Sequence, residues 1–207
     1  RRLSCPEDEK LHPWLSMLLD AFHVIDKGIA AAVKREAKRN RTVACFKGCS
    51  SCCKTHHTVP VYPLELVGIS WFSKERISGP EREALKKHLR EHTAGEPCPF
   101  LVNSACSVHA MRPIACRQFM VFSRPCIEGE DPYYTRRNDV LSPPKEYLDE
   151  AFYIMMPFYG VKEETERRKA ALSGALHRVV RLIQECNWKT LADSMDAFER
   201  EKNTSLS

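Results

Sequence analysis

Eight of the ten cysteines in this 207-residue chain fall between residues 45 and 126. They run Cys45-x3-Cys49-x2-Cys52-Cys53, then Cys98-x7-Cys106-x9-Cys116-x9-Cys126. A Cys-x2-Cys step lets one tight turn aim two sulfurs at one ion, and further ligands then arrive from a distant segment. Thiolates suit zinc, copper(I) and iron–sulfur clusters. The spacing therefore predicts a metal or cluster centre, with Cys45, Cys49, Cys52, Cys53, Cys98, Cys106, Cys116 and Cys126 as ligands. Cys5 and Cys186 stand apart and read as structural thiols.

Two other uses of cysteine fit less well. Cys52 and Cys53 are neighbours. Adjacent Cα atoms lie about 3.8 Å apart, and an ordinary disulfide wants roughly 4.4–6.8 Å. These two would strain the backbone if bonded to each other, so a disulfide network would have to pair them elsewhere. A single catalytic cysteine activated by a histidine leaves most of the thiols unexplained. His56, His57 and His109 lie close to the cluster in sequence. Each is open as a ligand, and His109 reads first as a hydrogen-bonding partner. Arg112 and Arg117 flank Cys116 and are expected to support it by compensating thiolate charge.

Around this segment the chain reads as helical. Leu11, Leu15, Leu18, Phe22, Ile25, Ile29 and Val33 recur at three- and four-residue steps, predicting one helix over 11–39. Pro63 opens a short helix, and 81–92 reads as a charged surface helix with Leu85 and Leu89 inward. Residues 42–60 read as irregular and 127–143 as a polar loop. Asn103-Ser104 marks a small hairpin between 98–102 and 106–109. Arg112-Pro113 opens a short helix to Phe119. Helices are expected over 144–156, over 162–184 with a bend at Gly174, and over 188–198, with a polar tail from Lys202. The fold class is thus mainly α, with helices flanking a central Cys-rich, loop-rich metal-binding segment and at most a small β-hairpin. The expected organisation is a single domain over 1–207: an N-terminal helix at 11–39, a cysteine core at 45–126 and C-terminal helices at 144–198.

Composition narrows the partners. No stretch approaches the roughly 20 uncharged apolar residues of a membrane helix, and the first residues lack the pattern of a signal peptide. The expectation is a cytoplasmic chain without membrane attachment, in a compartment where thiols stay reduced. The net charge of +5 permits nucleic acid without arguing for it. Charges after residue 160 alternate in sign, as on a solvated face, so nucleic acid is not the expected partner. Ionised thiols holding divalent units would absorb most of that positive charge.

Cys49-Ser50-Ser51-Cys52-Cys53, Cys98-Pro99-Phe100-Leu101 and the run from Cys106 through Arg112-Pro113-Ile114-Ala115-Cys116-Arg117 to Phe119 resemble the YkgJ-type cysteine-cluster family. That family is described as a zinc- or iron-chelating domain. Its later cysteine is matched by Cys126, and the resemblance covers about 45–126. The three residues between Cys45 and Cys49, where the common pattern has two, are a departure at Cys45. The resemblance implies bound metal or a cluster. Similar cysteine domains occur in some flagellin lysine-N-methylases, which makes a cluster-dependent S-adenosylmethionine enzyme with a protein substrate the alternative. No glycine-rich nucleotide loop supports it independently. A zinc-stabilised interaction module is a second alternative. Wide, uneven spacings in the second half favour an iron–sulfur cluster, 4Fe-4S first, with zinc as the other choice. The expected role is redox chemistry, metal handling or sensing.

Overall fold

A computed structural model describes residues 1–204. Helix dominates, and two antiparallel two-stranded sheets are its only sheets among the described residues. The longest element is α2 (Pro13–Ala37), preceded by the short α1 (Pro6–Leu11). The break between them corrects the reading of one helix from residue 11. His12 precedes a proline, which disfavours helical backbone there, and it adopts φ −128°, ψ 85°. Pro13 then opens α2 at its first position, where its missing N–H costs nothing. Leu11 ends α1 and is 75% exposed, so it is no part of the core stripe.

The remaining helices are α3 (Ser51–Thr55), α4 (Pro63–Glu75), α5 (Gly79–Glu91), α6 (Ile114–Gln118), α7 (Pro132–Thr135), α8 (Lys145–Met155), α9 (Glu164–Leu172) and α10 (Lys189–Thr204). Strands β1 (Pro60–Val61), β2 (Leu101–Val102), β3 (Ala105–Cys106) and β4 (Arg181–Leu182) pair as β1 with β4 and β2 with β3. Two apolar clusters hold these elements. One gathers Leu15, Leu18, Phe22 and Ile25 of α2 against Leu64 of α4 and Phe152 and Met155 of α8. The other gathers Ile69, Leu85, Leu89, Phe100, Trp188 and Met195 from α4, α5, α10 and the loops between. Helices α2 and α8 cross closely at Gly28, where a Cβ would stand 2.7 Å from Tyr147 Cβ. At Gly68 of α4 a Cβ would collide with Leu18 Cδ2.

The predicted helix over 162–184 is the largest departure. α9 stops at Leu172, and Gly174 takes φ +68°, a conformation a side chain would resist. A 3₁₀ turn follows, and then Arg181–Leu182 leaves helix to pair with Pro60–Val61. Pairing to a strand over 100 residues away outweighs local helical periodicity, and Ile183 N donates to Val59 O at 2.9 Å to extend it. Two segments read as loop also carry short helices, α3 within 42–60 and α7 within 127–143. The tail expected from Lys202 is helical to Thr204, and 205–207 lie outside the described residues. No described helix is long and apolar enough to cross a membrane.

The cation-rich end of α2 is held internally. Arg39 and Arg41 donate to Glu36 at 3.2 and 3.0 Å, and Arg41 reaches Asp139 at 2.8 Å.

Candidate metal centre

The thiols are delivered by short elements, each locally determined. Gly48 at φ +87° and a turn from Phe46 O to Cys49 N at 3.0 Å lead into α3, which carries Cys52 and Cys53. Cys98 N donates to Cys53 O at 2.9 Å, fastening the second cysteine segment to the first. Asn103 and Ser104 both take positive φ, at 50° and 62°, the pattern of a tight primed turn. That turn pairs β2 with β3 and sets Cys106 opposite Leu101. α6 then presents Cys116.

Glu65 positions that last helix. Its carboxylate is fully buried and accepts from Tyr62 N at 2.9 Å and Ile114 N at 2.6 Å. One side chain therefore caps the N-termini of both α4 and α6. Burial pushes its pKa up to about 7, outweighing the two amides and the Arg117 charge that favour the ionised form.

Two sets of thiols emerge. Cys52, Cys53, Cys98 and Cys116 line a cavity of about 420 Å³, and Cys106 lies within charge-interaction range of Cys52, Cys53 and Cys116. These five form the inner set. Cys45, Cys49 and Cys126 interact with one another and form the outer set, with Cys52 also felt at Cys45. Val121 N donates to Cys45 Sγ at 3.4 Å, and Arg136 donates to Cys126 Sγ at 3.8 Å. All ten cysteines are free thiols.

The thiol electrostatics follow from this crowding. Cys52 is raised by its hydrogen bond with Cys53 and by burial. For Cys53, the hydrogen bond from Cys52 favours the thiolate, but its bond to Cys98 and burial outweigh it and push the pKa up to about 12. Burial lifts Cys116 well above its ordinary value, and the neighbouring Cys52, Cys53 and Cys106 add to it. Burial also raises Cys106, Cys45 and Cys126, opposed at Cys106 by the Val108 amide and the Arg112 charge, and at Cys126 by Arg136. Thiolates this close repel one another, and a cation among them reverses the balance, since a coordinating thiol is deprotonated outright. The donor set therefore fits a soft, thiophilic metal or cluster. It is a gathering of thiols rather than a closed cage. Among the described residues no group of three or more His, Cys, Asp and Glu side chains stands poised on a single ion.

Other residues singled out by sequence take varied places. His56 lies on the cavity wall, edge-on to Phe119 at 4.3 Å between ring centres. Its Nε2 is 3.3 Å from Asp131 Oδ1 but out of line, and has no hydrogen-bond partner. Burial lowers its pKa. His57 Nδ1 pairs with Gly95 O at 2.9 Å, and the His109 ring packs against Arg112 Nη1 at 2.8 Å. Arg112 thus reaches His109, while its charge acts on Cys106. Arg117 turns away from the sulfurs. It donates to Arg112 O at 3.0 Å, to Ala110 O and to Asp26 at 3.2 Å, and its guanidinium lies 4.0 Å from the Phe22 ring centre. It therefore ties α6 to α2. Cys5 and Cys186 pack against the two apolar clusters, and Cys186 Sγ donates to Leu182 O at 3.4 Å.

Asp131, Tyr133, Tyr134 and Phe119 complete the cavity wall and were not singled out by sequence. One signal was available: Asp131-Pro132 is a helix start, and Asp131 does accept from Tyr133 N at 2.9 Å.

Residues 44–140 match the CxxCxxCC family, described as a putative zinc- or iron-chelating domain, over just under half of the chain. No curated protein and no solved structure matches the chain.

Proposed function

We propose, from the premise that residues 44–140 are a zinc- or iron-chelating domain of the YkgJ type, that this chain holds an iron–sulfur cluster through its clustered thiolates and serves redox chemistry, sensing or metal handling. Zinc is the alternative occupant. The observation that carries the reading is the inner set: five thiols from α3, the Cys98 loop, β3 and α6, brought to one place around a cavity. Cys52 and Cys53 are successive residues of one helical turn, about 100° apart around its axis. Two sulfurs set at such an angle can serve two different sites.

Four thiolates complete a zinc site or a cubane. The inner set has one more than that and the outer set one fewer. Cys52, whose charge reaches both Cys45 and Cys116, is the thiol that balances them. The reading therefore assigns Cys53, Cys98, Cys106 and Cys116 to an inner site, and Cys45, Cys49, Cys52 and Cys126 to an outer one. The helical shell and the cysteine segment act on this reading as one domain, and the Arg117 tie between α6 and α2 supports that.

Anaerobic purification followed by iron, sulfide and zinc analysis and a visible spectrum tests the occupant. A brown protein with matched iron and acid-labile sulfide is expected. A colourless protein with stoichiometric zinc ends the iron–sulfur reading and leaves the thiol assignment standing.

A further inference from the structure

The cavity beside the inner thiols is larger than metal ligation requires, and the rest of its lining has a chemistry of its own. Phe119, Tyr133 and Tyr134 supply aromatic rings, and Val59, Pro60 and Ile183 supply apolar surface. Asp131 places a carboxylate in the same wall, and no lysine or arginine lines it. The Tyr133 amide donates to that carboxylate, and His56 Nε2 stands 3.3 Å from the same Asp131 oxygen, with burial holding the imidazole towards its neutral form. Cys52, Cys53, Cys98 and Cys116 line the same cavity, and four thiolates around a divalent unit would keep a net negative charge.

Such a chamber is selective by sign. An anion would face like charge from the sulfurs and Asp131. A neutral apolar molecule would gain only burial. A cation with an apolar body gains from the ring quadrupoles, from the carboxylate and from the thiolate wall together. The Tyr133 ring already carries one cation in this way, the Arg137 guanidinium lying 4.9 Å from its centre. An occupied inner site takes part of the 420 Å³, leaving room for a small guest.

We propose that this cavity is a binding site for a small alkylammonium ion, recognised by the aromatic rings, Asp131 and the metal-bearing thiolates that line it together. The inference rests on the metal-binding reading above. Calorimetric titration of the metal-loaded full chain with choline, and with its neutral isostere 3,3-dimethylbutan-1-ol, tests it. Choline should bind roughly tenfold more tightly than the alcohol. Asp131→Asn keeps a side chain able to cap α7, and should weaken choline about three- to tenfold while leaving the alcohol unchanged. Tyr134→Leu changes a side chain 79% exposed and should act in the same direction. Equal affinities for the two probes, no choline binding, or variants that leave choline unaffected would each overturn the proposal. Metal analysis of the same samples separates the two failures. A loaded protein indifferent to choline overturns this inference alone, and a protein that takes no metal overturns both readings.

Discussion

The inner and outer thiols differ in what holds them. Cys53, Cys106 and Cys116 stand on α3, β3 and α6, and Cys98 is fastened to Cys53 through the backbone. Behind them lie the buried Phe100, Val108 and Ile114 and the fully buried Glu65. Cys45, Cys49 and Cys126 lie on irregular chain, beside the exposed Phe46 and Ile127. Their anchors are the Val121 amide on Cys45, the bond from Cys49 Sγ to Ser51 Oγ, the Ala44 amide on Val121 O and the Arg136 fork on Cys126. A preorganised set loses little freedom on taking up metal, whereas loop-borne ligands must first be ordered. The inner site should therefore bind tightly and support the fold, and the outer site should exchange.

Single substitutions are the strongest way to break that contrast. Cys116→Ser should lose the inner metal and with it much of the stability, because binding to a structural site is also folding free energy, on the order of 10 kcal/mol in small zinc domains. For a chain of this size a loss of even 3 kcal/mol lowers Tm by about 6–12 °C. Cys126→Ser should lose only the outer share and leave Tm within a few degrees. Metal content per chain and thermal unfolding of both variants decide the matter. Equal losses would mean one shared site and no division.

Glu65 sharpens the same contrast, since it orders the helix carrying Cys116 through backbone amides alone, whereas Glu130 beside Cys126 accepts from the Ile127 amide and is held by Arg124 and Arg136. Its carboxyl holds a proton up to about pH 7 in the fold, against 4.5 ordinarily. Between those values the folded state binds more protons than the unfolded one, so stability falls as pH rises. The contribution is complete below about pH 4.5 and lost above about pH 7, and it amounts to about 3 kcal/mol. Glu65→Gln should remove this slope. It should also cost about 1–3 kcal/mol at low pH, because an amide offers one acceptor oxygen to two buried N–H groups. Denaturant titrations of both proteins from pH 4.5 to 7 check it, with the difference between them cancelling the pH dependence they share. Parallel curves would show that Glu65 stays ionised in the fold.

The contrast also marks what the sequence makes legible. The 103–104 turn, α5 with Leu85 and Leu89 inward, and α6 after Pro113 follow from local chemistry, and all three are present. The gathering of thiols was legible as spacing. That eight thiols divide into two sets of four, with Cys52 and Cys53 able to serve different ones, was legible too; which thiols share a set was not, because it depends on how α3 turns Cys52 and Cys53, in a stretch that reads as irregular. The pairing of β1 with β4 hides for the same reason, as residues 60 and 182 meet only in the folded chain. Arg117 flanks a cysteine and so suggests service to sulfur, yet its donors are taken by backbone carbonyls and Asp26. The cavity wall is drawn from separated segments, α3 to β1, α6, α7 and Ile183, and no periodicity links them.

Arg136 gives the finest test, since it reaches the outer site alone. Its guanidinium donates to Glu130 at 2.8 Å, to Phe122 O at 3.2 Å, to Asp139 at 3.3 Å and to Cys126 Sγ. The Arg136 pair is also the main cause holding Glu130 down to about 2. One planar fork thus joins the Cys126 loop to the chain before and after it. Lysine keeps the charge but cannot span those partners at once. Arg136→Lys should leave metal content at saturation and Tm nearly unchanged, while outer metal passes to a competing chelator several-fold faster. Release of the inner metal should keep its original rate. If both fractions accelerate together, the two sets are mechanically one, and the inner thiols owe their order to the loops as well as to the helices.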